Sequence, residues 1–227
     1  MTKFKYYSPL VLQKIGYSVF FLLYKFFVRF EIRGRENLRG LSGPIILAAN
    51  HTSELDPPAM ALTLPFFSKL FPAYFICNPT EKFKTCGWRK YFYGGVFFNM
   101  LGAYPIFSGK KNYAISLDSH IKLLRKGKTV CIFPEGKRSR DGRLGTARGG
   151  LGYLVYTTGA TVVPICLDTF FNVTFRDFFL RRRKVTVTIC KPIPANKIIS
   201  PKIKNPCVAT FRAGSQTALN RIGEVLN

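Results

Sequence analysis

The chain has 227 residues, which is enough for one domain with a buried core. Its 35 Lys and Arg against 11 Asp and Glu give a formal net charge of +24, so polyanions such as nucleic acid or an anionic membrane are the expected partners. Apolar residues make up 47% of the chain, with 22 Phe and 11 Tyr, which argues against a nucleic-acid-binding module and favours a protein that lies on lipid.

The first 30 residues are predicted to form an amphipathic helix that lies in a membrane interface. No small-residue cleavage site follows the apolar stretch, which argues against a cleavable signal. The longest uncharged run, residues 15–24, would rise only about 15 Å as a helix, against a hydrocarbon core of about 30 Å, so we do not expect it to span. A buried core helix is the alternative. On a helical wheel the apolar sector contains Ile15, Val19, Leu22, Leu23, Phe26, Phe27 and Phe30, and a narrow stripe contains Lys14, Ser18, Lys25 and Arg29.

After this helix, strand-like and helix-like segments alternate along the chain. We expect a single α/β domain over residues 31–227, with a mostly central β-sheet flanked by helices. The predicted strands are residues 28–33, 45–49, 73–77, 102–107, 130–133, 161–167 and 184–190. The predicted helices are about 57–63, 112–125 and 148–158, and residues 82–100 are expected to be irregular.

The helix predicted over residues 112–125 has apolar positions at Ile115, Ile121 and Leu124. His120 is placed on its solvent-facing side and is expected to have no catalytic role.

The cysteines indicate a reducing environment. The six of them form no CxxC pair and no metal-ligand spacing with the two histidines, so we predict reduced structural thiols, a cytosolic setting and no metal site. Three lie in apolar runs, where a free cysteine behaves as a small hydrophobic residue: Cys131, Cys166 and Cys190.

The first chemical motif, HTSELD, follows the predicted strand 45–49 and brings a histidine and an aspartate to residues 51 and 56. Residues five apart point about 140° away from each other on a continuous helix, so we place His51 in a turn and Asp56 at the helix start, where Pro57 and Pro58 are favoured. Two roles are open for Asp56: a plain N-cap, or the partner that orients His51. A histidine side chain so oriented is suited to take a proton from a hydroxyl.

The second motif, FPEGKRS at residues 133–139, ends another predicted strand in a tight turn. Gly136 allows a ligand to approach the backbone closely, and Lys137 and Arg138 begin a cluster of cations suited to a phosphate. Glu135 is expected to be ionised and either to accept a hydrogen bond from a glycerol hydroxyl or to hold Arg138 in place. Both motifs follow the carboxyl ends of predicted strands, where open α/β sheets bind ligands.

Together these motifs resemble the glycerophosphate acyltransferase superfamily, in particular the bacterial 1-acylglycerol-3-phosphate acyltransferases. The resemblance covers roughly residues 28–195 and includes HTSELD, FPEGKRS and a strand block VPI at residues 163–165, in the family's order. It implies that His51 is the general base, that Asp56 is its partner, and that Glu135, Gly136 and Arg138 serve the acceptor phosphate.

Two departures from the family pattern concern the acceptor. Ser108 stands where the family's second block ends in a phosphate-binding arginine, and Lys110 or Lys111 is the candidate replacement. Lys137 stands where a small polar residue is common.

The function implied by this resemblance is transfer of a fatty acyl group to the free hydroxyl of 1-acylglycerol-3-phosphate, which gives phosphatidate in phospholipid biosynthesis. The donor would be an acyl-CoA or acyl carrier protein thioester, no further cofactor is expected, and the enzyme would be monotopic or peripheral at the cytoplasmic face of the cell membrane. Its partners would be the anionic bilayer, a lysophospholipid and the thioester carrier; nucleic acid is not expected. The alternatives are an acyltransferase that acts on another lysophospholipid or hydroxylated lipid, and a non-catalytic basic module that binds membrane or nucleic acid.

Overall fold

The computed structural model describes residues 3–79, 96–106, 112–168 and 171–226, with the backbone alone for residues 3–7 and 96. Its strands are β1 (Arg29–Arg33), β2 (Ile45–Ala49), β3 (Ala73–Cys77), β4 (Ala103–Pro105), β5 (Thr129–Ile132), β6 (Thr161–Asp168) and β7 (Lys184–Ile189). Its α-helices are α1 (Lys3–Phe27), α2 (Asp56–Thr63), α3 (Val96–Met100), α4 (Tyr113–Ser116), α5 (Asp118–Arg125), α6 (Gly150–Thr158), α7 (Phe175–Phe179), α8 (Ala195–Ile198) and α9 (Val208–Leu226).

The strands form one sheet in the order β1-β7-β6-β2-β5-β3-β4. All neighbouring pairs are parallel except β6 and β7, which are antiparallel. β2 lies between β6 and β5 and is buried along its whole length, because helices cover both faces of the sheet. The prediction of an α/β fold with a central sheet flanked by helices is confirmed.

The helices form two layers. On one face α1 and α2 cover a core that includes Leu47, Met60 and Ile165. On the other face α5, α6 and α9 cover a core that includes Ile46 and Leu154. Successive residues of a strand point to opposite faces, so Ile46 and Leu47 of β2 belong to different cores.

The prediction was wrong for part of the segment 112–125. The chain forms two helices there, which meet at Leu117, and Ile115 is exposed. His120 was expected to face solvent, yet it is fully buried, between the ring of Tyr104 and the second core. A buried histidine is hard to recognise from sequence here, because Ser119 and Lys122 beside it suggest an exposed helix face.

Other differences are smaller. β4 covers residues 103–105 of the strand predicted over 102–107, and the last residue of that prediction lies outside the described residues. Within the segment expected to be irregular, residues 96–100 are helical and residues 80–95 lie outside the described part. The helices α7, α8 and α9 were not predicted. α9 packs closely on α6, and a Cβ atom at Gly152 would overlap the carbonyl group of Phe211.

The N-terminal helix α1 packs on the domain through one side. Gln13 is buried, and its side-chain amide donates to the carbonyl oxygens of Ala73 (2.6 Å) and Leu101 (2.7 Å) and accepts from the Ala73 amide (3.0 Å). Tyr24 is fully buried and donates to the Leu55 carbonyl at 2.9 Å. The opposite side of α1 exposes large apolar side chains: Val11, Ile15, Val19, Phe21, Leu22 and Phe26.

The expectation that this segment is too short to span a membrane was too strict. Residues Ser8–Phe27 form a stretch of 20 residues with mean hydropathy 1.3, long and apolar enough to cross a membrane by length and composition alone. The division into a helix of residues 1–30 and a domain of residues 31–227 stays a prediction.

Burial lowers the pKa of His120 to about 4. The folded protein therefore favours the neutral ring, and its contribution to stability is complete above about pH 6.5 and is lost as the pH falls towards about 4. We expect the free energy of unfolding from urea titrations to fall by up to about 3 kcal/mol over that range because of this residue. A His120→Phe variant, which cannot titrate, should show a correspondingly flatter pH dependence. Equal slopes for the two proteins would contradict this expectation.

Candidate active site

The two sequence motifs meet at one edge of the sheet. β2 pairs in parallel with both β5 and β6, so the carboxyl ends of these strands lie side by side. β2 leads into His51, and β5 leads into the turn that contains Glu135. The two turns are joined directly, because the amide of Ser139 donates to the His51 carbonyl at 2.7 Å. The sheet therefore forms a single site from segments that are more than 80 residues apart in sequence.

His51 and Asp56 form a hydrogen-bonded pair. Asp56 Oδ2 lies 2.8 Å from His51 Nδ1. The carboxyl group is fully buried, whereas the imidazole is 18% exposed. With its Nδ1–H donated to the carboxylate, the imidazole keeps the lone pair of Nε2 for a second partner. This is the arrangement of a general base and the group that orients it.

The same carboxyl oxygen organises the turn between β2 and α2. It accepts hydrogen bonds from the backbone amides of Thr52 (2.6 Å) and Ser53 (2.7 Å). The N-cap interpretation of Asp56 was wrong: the N-cap position is Leu55, Asp56 is the first helical residue, and its carboxylate accepts from amides that precede the helix. Pro57 at the helix start supports this geometry because its fixed φ suits the first turn.

Glu135 connects the two turns through the backbone. Its Oε1 accepts from the amide of His51 at 3.1 Å, and its Oε2 accepts from the amide of Gly145 at 3.0 Å. The side chain is buried, and burial raises the pKa of Glu135, an effect that the two amide hydrogen bonds oppose. Glu135 does not hold Arg138, which instead pairs with Glu54 at 3.1 Å.

Two further residues position the histidine, and neither was predicted from the sequence to do so. The side chain of Asn50 is buried and bonds both backbone groups of Leu167, at 2.8 and 2.9 Å, which ties the end of β2 to β6. The ring of Phe133 stacks on the His51 imidazole, with centroids 4.0 Å apart and planes within 15°. The available signal was their position directly beside the motifs, at the ends of buried strands.

Three predicted phosphate ligands of the second motif, Gly136, Lys137 and Arg138, lie at the exposed rim of this site. Lys137 and Arg138 are exposed, and Gly136 has φ +67°, so a side chain there would be strained. A Cβ atom at Gly136 would also lie 2.8 Å from Cδ of Arg148, so the glycine lets this second arginine cross the turn. Lys110 and Lys111 lie outside the described residues, as does Ser108.

Among the described residues, no group of three His, Cys, Asp or Glu is placed to hold a metal ion. The cysteines of this part of the chain that were predicted to be structural, Cys131, Cys166 and Cys190, are free and buried. Burial raises the pKa of each of these thiols.

The chain is similar to known acyltransferases. Residues 29–168 match the family described as Acyltransferase. The chain is 33% identical over 176 residues to the chloroplastic 1-acyl-sn-glycerol-3-phosphate acyltransferase of Arabidopsis thaliana, which covers 75% of this chain and 45% of that protein. It is 26% identical over 205 residues to the human 1-acyl-sn-glycerol-3-phosphate acyltransferase beta, which covers 87% and 69% of the two chains.

The fold also matches a solved structure. The 1-acyl-sn-glycerophosphate acyltransferase PlsC of Thermotoga maritima superposes with a TM-score of 0.60 at 20% identity, over 96% of this chain and 80% of that one. At this identity the match establishes the fold. The chain spans about half the length of the curated plant and algal relatives that it matches.

We expect Glu135→Gln to loosen the site. A glutamine has one acceptor oxygen, so either the His51 or the Gly145 amide would face an NH2 group. Leaving a buried donor without an acceptor costs about 1–3 kcal/mol. The free energy of unfolding in urea should fall by that amount. The rate of acyl transfer should also fall, because the His51 backbone is displaced.

The matched control is Glu36→Gln, which removes the same charge at an exposed position and should change neither quantity. A Glu135→Gln protein as stable as the parent would show that these two hydrogen bonds do not hold the turns together.

Proposed function

We propose that this chain, which belongs to the acyltransferase family, transfers a fatty acyl group from a thioester to the free hydroxyl of 1-acylglycerol-3-phosphate. The product would be phosphatidate, in phospholipid biosynthesis. The main observation in support is the His51–Asp56 pair at 2.8 Å, which lies at the same edge of the sheet as the cationic turn that begins at Gly136. Several relatives are named as 1-acyl-sn-glycerol-3-phosphate acyltransferases, which supports the choice of acceptor.

In the proposed reaction His51 acts as the base. Its Nε2 takes the proton of the acceptor hydroxyl, the oxygen attacks the thioester carbonyl, and the C–S bond breaks. The thiolate leaves and receives the proton from the imidazolium, so the products are an ester and a thiol. Asp56 stabilises the imidazolium during the reaction, and no covalent acyl-enzyme is needed. Holding the thioester and the hydroxyl together contributes about 7–11 kcal/mol to the rate enhancement.

The acceptor phosphate would bind the cations at the rim. Arg138 supplies a planar guanidinium that can bind two phosphate oxygens, and Lys137 adds a point charge. Arg138 pairs with Glu54, which belongs to the same turn as His51. Lys110 and Lys111 remain candidate ligands for the same phosphate, in place of the family's second-block arginine.

The donor would be acyl-CoA or acyl carrier protein. Both carriers are anionic, and the net charge of +24 favours either of them.

The enzyme would work at the cytoplasmic face of the cell membrane, with α1 lying in the interface. A helix that left the domain to cross the bilayer would break the hydrogen bonds of Gln13 with Ala73 and Leu101 and that of Tyr24 with Leu55. In the interface these bonds persist, while the outer apolar side of α1 enters the lipid and Lys25 stays among the headgroups.

The proposal is tested by assaying purified protein with lysophosphatidate and a long-chain acyl-CoA in detergent. His51→Ala should lower kcat by at least about 10²–10⁴-fold, because the base is lost. Circular dichroism should be unchanged, and the free energy of unfolding in urea should fall by no more than about 1–3 kcal/mol, because Asp56 loses the imidazole but keeps the amides of Thr52 and Ser53. Full activity in the His51→Ala protein would contradict the mechanism.

If the parent protein forms no phosphatidate, the assay is repeated with acyl carrier protein as donor. A panel of other lysophospholipids and hydroxylated lipids then identifies the acceptor. Product from one of these and none from lysophosphatidate would replace the proposed acceptor while keeping the reaction.

Arg138→Gln should raise the KM for lysophosphatidate by about tenfold or more, because a charged hydrogen bond to phosphate is lost. The KM for an uncharged hydroxylated acceptor such as a monoacylglycerol should not change. The exposed Arg138–Glu54 pair contributes at most about 1 kcal/mol, so folding should be little affected. Arg125→Gln, an exposed cation of α5 on the other layer, is the control. An equal effect of Arg138→Gln on both acceptors would argue against phosphate binding by this residue.

A further inference from the structure

A second cationic site lies where α1, β1 and the turn between α7 and β7 meet. These segments form a groove of about 460 Å³. Lys25 of α1, Arg29 of β1, Arg181 of the turn and Lys184 of β7 line it. Arg181 adopts a positive φ of 51°, which turns the chain sharply from α7 into β7 and places this side chain at the groove.

The charge of the groove is mostly uncompensated. Its one carboxylate, Glu31, is already engaged by Arg33 at 2.8 Å and by Lys184 at 2.9 Å. Hydrogen bonds, first from Arg33 and to a lesser extent from Lys184, lower the pKa of Glu31 to about 2. Lys25, Arg29 and Arg181 form no ion pair with an acidic side chain of the described residues. Three free cations around a groove of this size suit an anionic group such as a phosphate.

Two exposed phenylalanines, here called the apolar rim, lie on α1 and α7, whose C-terminal ends lead towards this groove. Phe175 on α7 is 86% exposed, and Phe26, the adjacent exposed residue of α1, is 62% exposed. The two helices are in contact, since the ring of Phe27 lies 5.4 Å from that of Phe178 and 5.1 Å from that of Phe179. The rim therefore continues the exposed apolar side of α1. Exposed phenylalanines beside a cationic groove are typical of surfaces that meet a bilayer.

The groove lies on the same edge of the sheet as His51. Asp168 at the end of β6 and Glu31 of β1 pair with the same residue of β7, which lies between these two strands. Because β1 runs antiparallel to β6, Arg29 lies beyond the carboxyl end of β6. His51 lies beyond the end of β2, the next strand. β1 is three strands from β2, or about 14 Å at the usual strand spacing.

We propose that this groove binds the phosphate group of an anionic phospholipid in the bilayer while Phe26 and Phe175 enter the interface. The α7–β7 turn is thus a second membrane contact beside α1, and the two contacts turn the edge that contains His51 towards the lipid surface. The proposed function matters to this inference in one respect: it explains why the edge with His51 should face the lipid. Lipid binding in the groove does not depend on it, because the lipid bound there is not the reacting acceptor.

Binding of the full chain to vesicles tests the proposal. The vesicles are phosphatidylcholine alone or phosphatidylcholine with about a third of phosphatidylglycerol, which supplies the anionic surface. The first variant, Arg29→Gln/Arg181→Gln, removes two groove cations and leaves uncharged polar side chains in their place. Its control, Lys202→Gln/Lys204→Gln, removes two exposed cations from the loop between α8 and α9 in the other helix layer.

The groove variant should bind anionic vesicles about 30-fold more weakly than the parent and neutral vesicles equally well. The control should change either affinity by less than about threefold, because its charges lie far from the lipid. Equal losses in the two variants would overturn the proposal, since net charge alone would then explain binding. Unchanged binding of the groove variant would overturn it as well.

The apolar rim has its own test. Phe175→Ser should weaken binding to both kinds of vesicle by about tenfold, because an exposed phenyl ring no longer enters the interface. Tyr156→Ser changes a partly exposed ring in the other layer and should leave binding unaltered. Unaltered binding of the Phe175→Ser protein would remove α7 from the membrane contact.

These measurements separate the inference from the proposed reaction. Vesicle binding needs no turnover, so a protein that fails to acylate lysophosphatidate still tests the groove. In detergent micelles, where no bilayer orients the protein, the Arg29→Gln/Arg181→Gln variant should retain the acyl-transfer rate of the parent. A large loss of activity in micelles would place these arginines in the reaction rather than in docking.

Discussion

The carboxyl group of Asp56 is the constraint on which the active-site edge depends. It is fully buried, and a buried carboxylate is tolerated only where hydrogen bonds replace its water. One of its oxygens accepts from the imidazole of His51 and from the amides of Thr52 and Ser53. The ring orientation and the backbone shape of the turn are therefore fixed by the same atom, and one cannot change without the other.

Glu135 complements this arrangement from the neighbouring strand. Asp56 holds the side chain of His51, and Glu135 holds its backbone amide. Both carboxyl groups are buried behind a rim of exposed cations. The site thus combines a buried, hydrogen-bonded interior, which sets the position of the base, with exposed positive side chains that face solvent and can meet an anionic ligand.

The sequence was sufficient where one physical signal dominated. The continuous apolar run of β2 and the two prolines of α2 predicted the strand–turn–helix element around His51 and Asp56 at nearly its observed bounds. It was not sufficient for α9. Its buried positions follow a helical period, but three of the six are small residues, Gly214, Ser215 and Ala218, and so give little apolar signal. The partner of Arg138 and the buried position of His120 depend on contacts between distant segments, which no local pattern encodes.

The pairing of β1 with β7 has a consequence for how the protein is made. The residues that pair are roughly 150 positions apart, and Gln13 finds its partner carbonyl at Leu101 after 88 residues. At the usual rate of synthesis, β1 waits on the order of 10–30 s for its partner to leave the ribosome. During that interval Gln13 of α1 lacks its protein partners, and the apolar side chains on both sides of α1 are exposed. Until β7 is made, the apolar surface of α1 is therefore open to aggregation, and a lipid surface or a chaperone that covers α1 early would protect it.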